Sequence, residues 1–132
     1  MKKYFVIGNP IEHSLSPKIH NYWIKKNKIE GVYEKRLLKK EDIKSIISEV
    51  RSGKIDGINV TVPFKKLVIP YLDNLSFEAE AAQSVNTIYK KDNKIFGHNT
   101  DIAGFELGLK SINYEAKNKK IFILGAGGVV PS

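Results

Sequence analysis

Apolar and polar positions along the chain switch between a strand-like and a helix-like rhythm, and the switches sketch a succession of elements. Residues 3–8 (KYFVIG) are a short apolar run closed by glycine, the length and residue type of a buried strand. After the loop 9–15, Ser16-Pro17 opens a helix, with serine as the expected N-cap and proline in the first turn. Ile19, Tyr22 and Trp23 fall at i, i+3 and i+4 on one face of it. Residues 32–38 read as a second strand. The stretch 40–52 is the clearest helix, because Ile43, Ile46, Ile47 and Val50 mark one stripe and Gly53 stops it. Residues 56–62 (DGINVTV) form a third strand ended by Pro63, followed by a short helix over 64–72 that Pro70 interrupts. Ser76 is placed to cap a further helix running through Ala82. Residues 85–89 and 94–97 flank the polar turn Lys91-Asp92-Asn93, a hairpin signal. Residues 101–112 are helical, with Ile102, Phe105, Leu109 and Ile112 on one side, and 119–124 (KKIFIL) read as a last strand running into Gly125-Ala126-Gly127-Gly128.

Strands alternating with helices predict an α/β fold: a three-layer α/β/α arrangement around a mostly parallel mixed sheet. A strand followed by a glycine-rich turn ordinarily launches a helix and further βα units, and here only Val129-Val130-Pro131-Ser132 follow. The expected division is therefore a first domain over 1–100, and over 101–132 a linking helix and the opening of a second, truncated domain.

The 132 residues and 42% hydrophobic content are enough for one real core. The absence of cysteine removes disulfides, thiolate nucleophiles and cysteine-ligated zinc. No apolar run approaches the roughly 20 residues of a membrane span. Met1-Lys2-Lys3 leads into only four apolar residues before Gly8, too few for a secretory signal, so a cytoplasmic protein is expected. The net charge of +8 favours anionic ligands. Only Arg36 and Arg51 among the 22 basic residues are arginine, and the lysines are dispersed, which reads as a solvated surface and not as a nucleic-acid interface. Binding to nucleic acid or to membranes is accordingly not expected.

Candidate chemistry gathers in the connections. Gly125-Ala126-Gly127-Gly128 after an apolar strand would let backbone N–H groups approach a pyrophosphate, although the third glycine of a G-x-G-x-x-G pattern is replaced by Val130, and a plain tight turn is the competing reading. The loop 8–17 (GNPIEHSLSP) joins a strand to a helix N-terminus, and its hydroxyls Ser14 and Ser16 either donate to a carboxylate or serve as a cap and a solvated side chain. Asn59 and Thr61 share one side of the third strand, and Lys65 follows in the turn, either as a surface charge or as a group projecting into a crevice with a carboxylate partner. Asp101 begins a helix, where an acidic residue is common anyway. Asn86 is a polar residue in an apolar run and needs a partner if buried. His13, His20 and His98 show no ligand spacing, so no metal site is expected.

Taken together, GNPIEHSLSP at 8–17, NVTVPFK at 59–65, AxSVNT at 82–87, GxNTD at 97–101 and GAGG at 125–128 resemble the shikimate dehydrogenase family, in the family's order and over essentially the whole chain. The resemblance implies an NADP-dependent oxidoreductase of aromatic amino-acid and chorismate biosynthesis. Such an enzyme reduces 3-dehydroshikimate to shikimate in a cleft between a substrate-binding α/β domain and a Rossmann domain that binds the cofactor. By the same resemblance Ser14 and Ser16 hold the substrate carboxylate and Thr61 lines the pocket. Lys65, Asn86 and Asp101 bond the ring hydroxyls, with Lys65 as acid/base residue and Asp101 as its catalytic partner. Gly125, Ala126, Gly127, Gly128 and Val129 open the NADP diphosphate loop. The family runs to about twice this length, so the chain alone is expected to lack turnover. Phe77 stands where the family often has an acidic or small residue and receives no role. A quinate/shikimate dehydrogenase and a non-catalytic anion-binding module are the alternatives, and the sequence leaves a homodimer open.

Overall fold

The computed structural model describes residues 1–125, 127 and 130, and among these the chain builds one six-stranded sheet with four α-helices. Its elements are β1 (Lys2–Gly8), α1 (Ser16–Lys26), β2 (Gly31–Leu37), α2 (Ile43–Arg51), β3 (Gly57–Val60), β4 (Asn74–Leu75), α3 (Phe77–Ala82), β5 (Thr87–Lys91), β6 (Lys94–His98) and α4 (Asp101–Ser111). The sheet order is β2-β1-β3-β5-β6-β4. β1 runs parallel to β2 and β3, β4 parallel to β6, and β5 is antiparallel to both of its neighbours. Five strands thus share one direction, which gives the mostly parallel mixed sheet expected of the pattern.

Side-chain alternation divides the core into two layers. Phe5 and Ile7 of β1 join Ile58, Val60, Ile88 and Ile95 against the Ile43, Ile46, Ile47 and Val50 stripe of α2 and Ala79 of α3. Tyr4 and Val6, from the same strand, turn to the opposite face and pack with Ile11, Tyr33 and Ile24 of α1. The hairpin between β5 and β6 closes through Asp92 (φ 49°) and Asn93 (φ 60°), both left-handed. Short polar side chains tolerate that conformation, and it matches the twist of the paired strands.

Several local expectations are corrected. The residues preceding α2 form a separate 3₁₀ turn, Lys40–Asp42, before the α-helix proper starts. The segment 64–72 is not a helix but a series of turns ending in the 3₁₀ turn Ile69–Tyr71, since Pro70 lacks the N–H that a continuing helix needs. β4, only two residues long, has no counterpart among the expected strands. Ile19, Tyr22 and Trp23 do not form the buried face of α1; each is about half exposed or more. The helix instead meets the sheet through Ile24, through His20 stacked on Tyr33 at 4.2 Å, and through Asn21, which bonds both backbone groups of Tyr33. Trp23, Ile24 and Ile29 line an apolar groove of about 290 Å³ beside Tyr4 and Tyr89.

Residues 119–124 do not form the predicted strand: the backbone there is irregular, and Ile121, Phe122, Ile123 and Leu124 are all exposed. A strand needs a neighbouring ladder to satisfy its N–H and C=O groups, and among the described residues none lies beside this segment.

One exposed carboxylate ties distant elements together. Asp73 accepts two hydrogen bonds from the Arg51 guanidinium at 2.7 and 3.1 Å and one from the Ile95 N–H at 2.6 Å, linking the end of α2 to β6. The bond from Arg51, followed by that from Ile95, holds the Asp73 carboxyl below its ordinary value. Its folded value is the depressed one, so its contribution is present above the usual carboxylate range and is lost as the pH falls from there through the lowered folded value. The difference in melting temperature between the parent chain and Asp73→Asn is therefore open at neutral pH and closes below about pH 4. Thermal melts across that range check this, and a gap unchanged at low pH contradicts it.

Candidate active site

Parallel strands bring their carboxyl ends to one edge of the sheet, and an antiparallel strand starts there. The loops after β1, β3 and β6 and the residues leading into β5 therefore converge. Backbone bonds lock them in place. Thr61 N donates to Ile7 O at 2.9 Å and Asn9 N to Val62 O at 3.0 Å, joining the β1 and β3 loops. Val85 N donates to Lys65 O at 2.9 Å, Val60 N to Asn86 O at 2.8 Å and Asn86 N to His98 O at 3.0 Å, joining β3, β5 and β6. The peptide bonds preceding Pro10 and Pro63 are both cis.

At this edge Lys65 Nζ donates to Asp101 Oδ2 at 2.6 Å, bridging the β3 loop and the first residue of α4. The lysine side chain is 11% exposed and the aspartate 29%, so the pair is sheltered but reachable from solvent. Taking an ammonium out of water is costly unless an anion meets it, and here one does. Asn86 Nδ2 donates to the other carboxylate oxygen of Asp101 at 2.9 Å and to Thr100 Oγ1 at 2.8 Å. Its Oδ1 accepts from Thr100 N at 3.1 Å and from the Thr87 hydroxyl at 3.0 Å. The partner that Asn86 needs if buried is thus supplied by the GxNTD segment.

Asn99 sets the start of α4. Its side chain is fully buried, donates to Ser84 O at 3.0 Å, and accepts from the backbone N–H of Asp101 at 2.8 Å and of Ile102 at 3.4 Å. The first turn of the helix is thereby pinned to the segment before β5, which aims Asp101 at Lys65.

The serine loop lies at the same edge. Ser16 does not act as the N-cap expected of it. Leu15 occupies that position without a side-chain cap, and Ser16 is the first residue of the helix ahead of Pro17. Ser14 Oγ instead accepts the Ser16 N–H at 3.3 Å, so the Ser16 hydroxyl is not consumed by capping and lies beside the Tyr33 phenol. Burial pushes the Tyr33 phenol well above its ordinary value, so it stays a donor and gives its proton to Asn59 Oδ1 at 2.7 Å. Asn59 Nδ2 donates in turn to Asn86 O at 3.2 Å and to Thr87 Oγ1 at 3.1 Å. Thr61 is partly buried in the β3 loop, its methyl so close to Gly8 that a Cβ there would meet Thr61 Cγ2 at 2.6 Å.

The structure therefore brings Lys65, Asn86 and Asp101 into direct contact and sets Ser14, Ser16 and Thr61 in the adjoining loops. Tyr33, Asn59 and Thr87, which connect the two groups, do not stand out in the sequence as site residues. The one hint is Asn59, placed in an apolar strand on the same side as Thr61. Of the glycine loop, Gly125 has φ +107°, a conformation that favours glycine, and a Cβ at Gly125 or Gly127 would meet nothing within 4 Å. Ala126, Gly128 and Val129 lie outside the described residues. Among the described residues no three His, Cys, Asp or Glu side chains are grouped to hold a metal ion, and no helix is long and apolar enough to cross a membrane.

Residues 6–88 match the family described as shikimate dehydrogenase substrate binding domain. The chain belongs to that family. A curated shikimate dehydrogenase (NADP(+)) from Pelagibacter ubique is 65% identical over 133 residues, covering 100% of this chain and 50% of that protein. The crystal structure of shikimate dehydrogenase 1 from Peptoclostridium difficile superposes with a TM-score of 0.93 at 36% identity, covering 99% of this chain and 50% of the other. A shikimate 5-dehydrogenase from Thermus thermophilus, solved in complex with NADP(H) and shikimate, gives 0.90 at 35% identity over 99% of this chain and 49% of that one. The chain spans about half the length of the curated relatives it matches. The matched family segment includes Ser14, Ser16, Thr61, Lys65 and Asn86, whereas Asp101 falls beyond it and joins the site through its contacts.

Removing the buried Asn99 side chain strands two helix N–H groups and a carbonyl. Asn99→Ala is expected to destabilise the fold by about 2–3 kcal/mol, read as a lower denaturant midpoint at unchanged slope. A midpoint equal to the parent's contradicts the assigned role.

Proposed function

We propose that this chain is the substrate-binding half of an NADP-dependent shikimate dehydrogenase, which reduces 3-dehydroshikimate to shikimate reversibly in aromatic amino-acid biosynthesis, in the cytoplasm. The observation that carries this reading is the 2.6 Å contact between Lys65 and Asp101, braced by Asn86 at the edge where the substrate loops meet. In this reading residues 1–100 bind substrate and 101–132 lead into the cofactor domain.

Ser14 and Ser16 present hydroxyls, beside the N-terminus of α1, to the substrate carboxylate, where the helix dipole favours an anion. Thr61 lines the same pocket, while Asp101 and Lys65 hydrogen-bond the ring hydroxyls and Asn86 joins them by turning the Nδ2 proton now on Thr100 Oγ1 to the substrate. NADPH, when bound, supplies hydride to the carbonyl carbon of the substrate. As that carbonyl oxygen becomes an alkoxide it needs a proton, and the Lys65 ammonium within hydrogen-bond reach donates one, becoming a neutral amine. In the reverse direction the amine takes the hydroxyl proton back. Asp101, which accepts from Lys65 Nζ at 2.6 Å, holds the lysine side chain in place. The left-handed Gly125 and the open space around Gly125 and Gly127 suit a backbone that must approach a diphosphate closely, with Ala126, Gly128 and Val129 completing that stretch.

The complete protein carrying this chain is expected to form NADPH from NADP(+) and shikimate, followed by its absorbance, with quinate as the comparison substrate. Lys65→Ala is expected to lower kcat by roughly 10²–10⁴-fold, the usual worth of a positioned acid/base group. No turnover of shikimate by the parent, or full turnover by the variant, contradicts the proposal.

A further inference from the structure

We propose that Thr87 is a positioning residue for the Lys65–Asp101 pair, its hydroxyl bracing, together with the Thr100 N–H, the Asn86 oxygen so that the amide Nδ2 is held against Asp101. This rests on the reading of Lys65 as proton donor given above. A primary amide can sit either way round in a pocket, and only its hydrogen-bond partners decide which end points where. Asn86 must turn Nδ2 towards Asp101, because its Oδ1 beside a carboxylate oxygen would be repelled.

Each step of the chain leading to Asn86 has one direction only. Tyr33 gives its phenolic proton to Asn59 Oδ1 at 2.7 Å, so the Asn59 amide turns Nδ2 towards β5. Asn59 and Thr87 are direct cross-strand partners between β3 and β5, and Nδ2 donates into the Thr87 hydroxyl oxygen at 3.1 Å. With that lone pair occupied, the single hydroxyl proton of Thr87 is left for Asn86 Oδ1 at 3.0 Å, beside the Thr100 N–H that donates to the same oxygen at 3.1 Å. Asn86 Nδ2 then bonds Asp101 Oδ1 at 2.9 Å, and Asp101 Oδ2 is left to receive Lys65. A strand at this position requires a β-branched residue and not a hydroxyl, since valine fits the pleat equally well. The hydroxyl group is therefore the feature whose removal tests the relay.

In the complete protein carrying this chain, Thr87→Val is expected to lower kcat for shikimate oxidation by roughly ten- to a hundredfold, the effect of an unmade buried hydrogen bond expressed in the transition state. KM for shikimate is expected to move far less, and Thr87→Ser to restore most of the loss. Parent turnover is measured first: if the parent does not oxidise shikimate, the functional reading falls and this inference falls with it. If the parent is active and valine matches it, or if serine is as impaired as valine, the positioning role is overturned and the functional reading stands. A second measurement guards against misfolding of the valine protein. The two Asn86 side-chain amide protons are expected to exchange slowly with solvent in NMR spectra of the parent and of Thr87→Ser and faster in Thr87→Val, whose otherwise parental spectrum reports its fold, and equal exchange in all three overturns the proposal.

Discussion

The site depends on one constraint: a lysine side chain that is mostly withdrawn from water must meet an anion. Lys65 and Asp101 are 36 positions apart, and neither can choose the other locally. What brings them together is the sheet. β3 delivers Lys65 to its carboxyl edge, β6 delivers Asn99-Thr100-Asp101 to the same edge, and Asn86, just ahead of β5 between them, bonds Asp101. The antiparallel β5 matters here, because it starts at the edge where its parallel neighbours end.

Once the pair forms, the surrounding polar groups leave little freedom. Asn99 pins the first turn of α4 to Ser84 O, so the backbone carrying Asp101 cannot drift. Asn86 occupies one carboxylate oxygen and Lys65 the other, and the Thr100 N–H, the Thr100 hydroxyl and the Thr87 hydroxyl saturate the Asn86 amide. Buried polar networks of this kind stabilise when every member is satisfied. The buried side-chain nitrogen and oxygen atoms among the described residues all have partners. An ammonium held this way is oriented before any ligand arrives, the kind of preorganisation on which electrostatic catalysis relies.

Much of this is legible in the sequence, for reasons that differ by element. The α2 stripe and the apolar strands at 3–8 and 56–62 are recognisable because burial on a face imposes a period, and the polar residues at strand ends mark the edge where loops gather. Ser76 capping α3 is equally readable, and its hydroxyl does accept the Ala79 N–H at 3.2 Å. Ser16 misleads, because Ser-Pro also fits the first two helical positions, and Leu15 takes the cap. The 119–124 run has a strand's composition, yet a strand is a property of pairs, and among the described residues no ladder lies beside it. Tyr33, Asn59 and Thr87 are beyond local reading, since their roles follow from β3 lying next to β5 and from α1 crossing the opposite face. That order is not visible in any one segment. Asp101, outside the matched family segment, is reached only through the likeness of the GxNTD stretch and then through geometry.

On the function proposed above, Lys65 and Asp101 act on one substrate oxygen from a preformed pair. A crystal structure of the complete protein with shikimate bound tests it most directly. One ring hydroxyl is expected within about 3 Å of both Lys65 Nζ and the Asp101 carboxylate, with the substrate carboxylate against Ser14 and Ser16. Shikimate bound away from Lys65, or a lysine turned from Asp101 towards solvent, would contradict it.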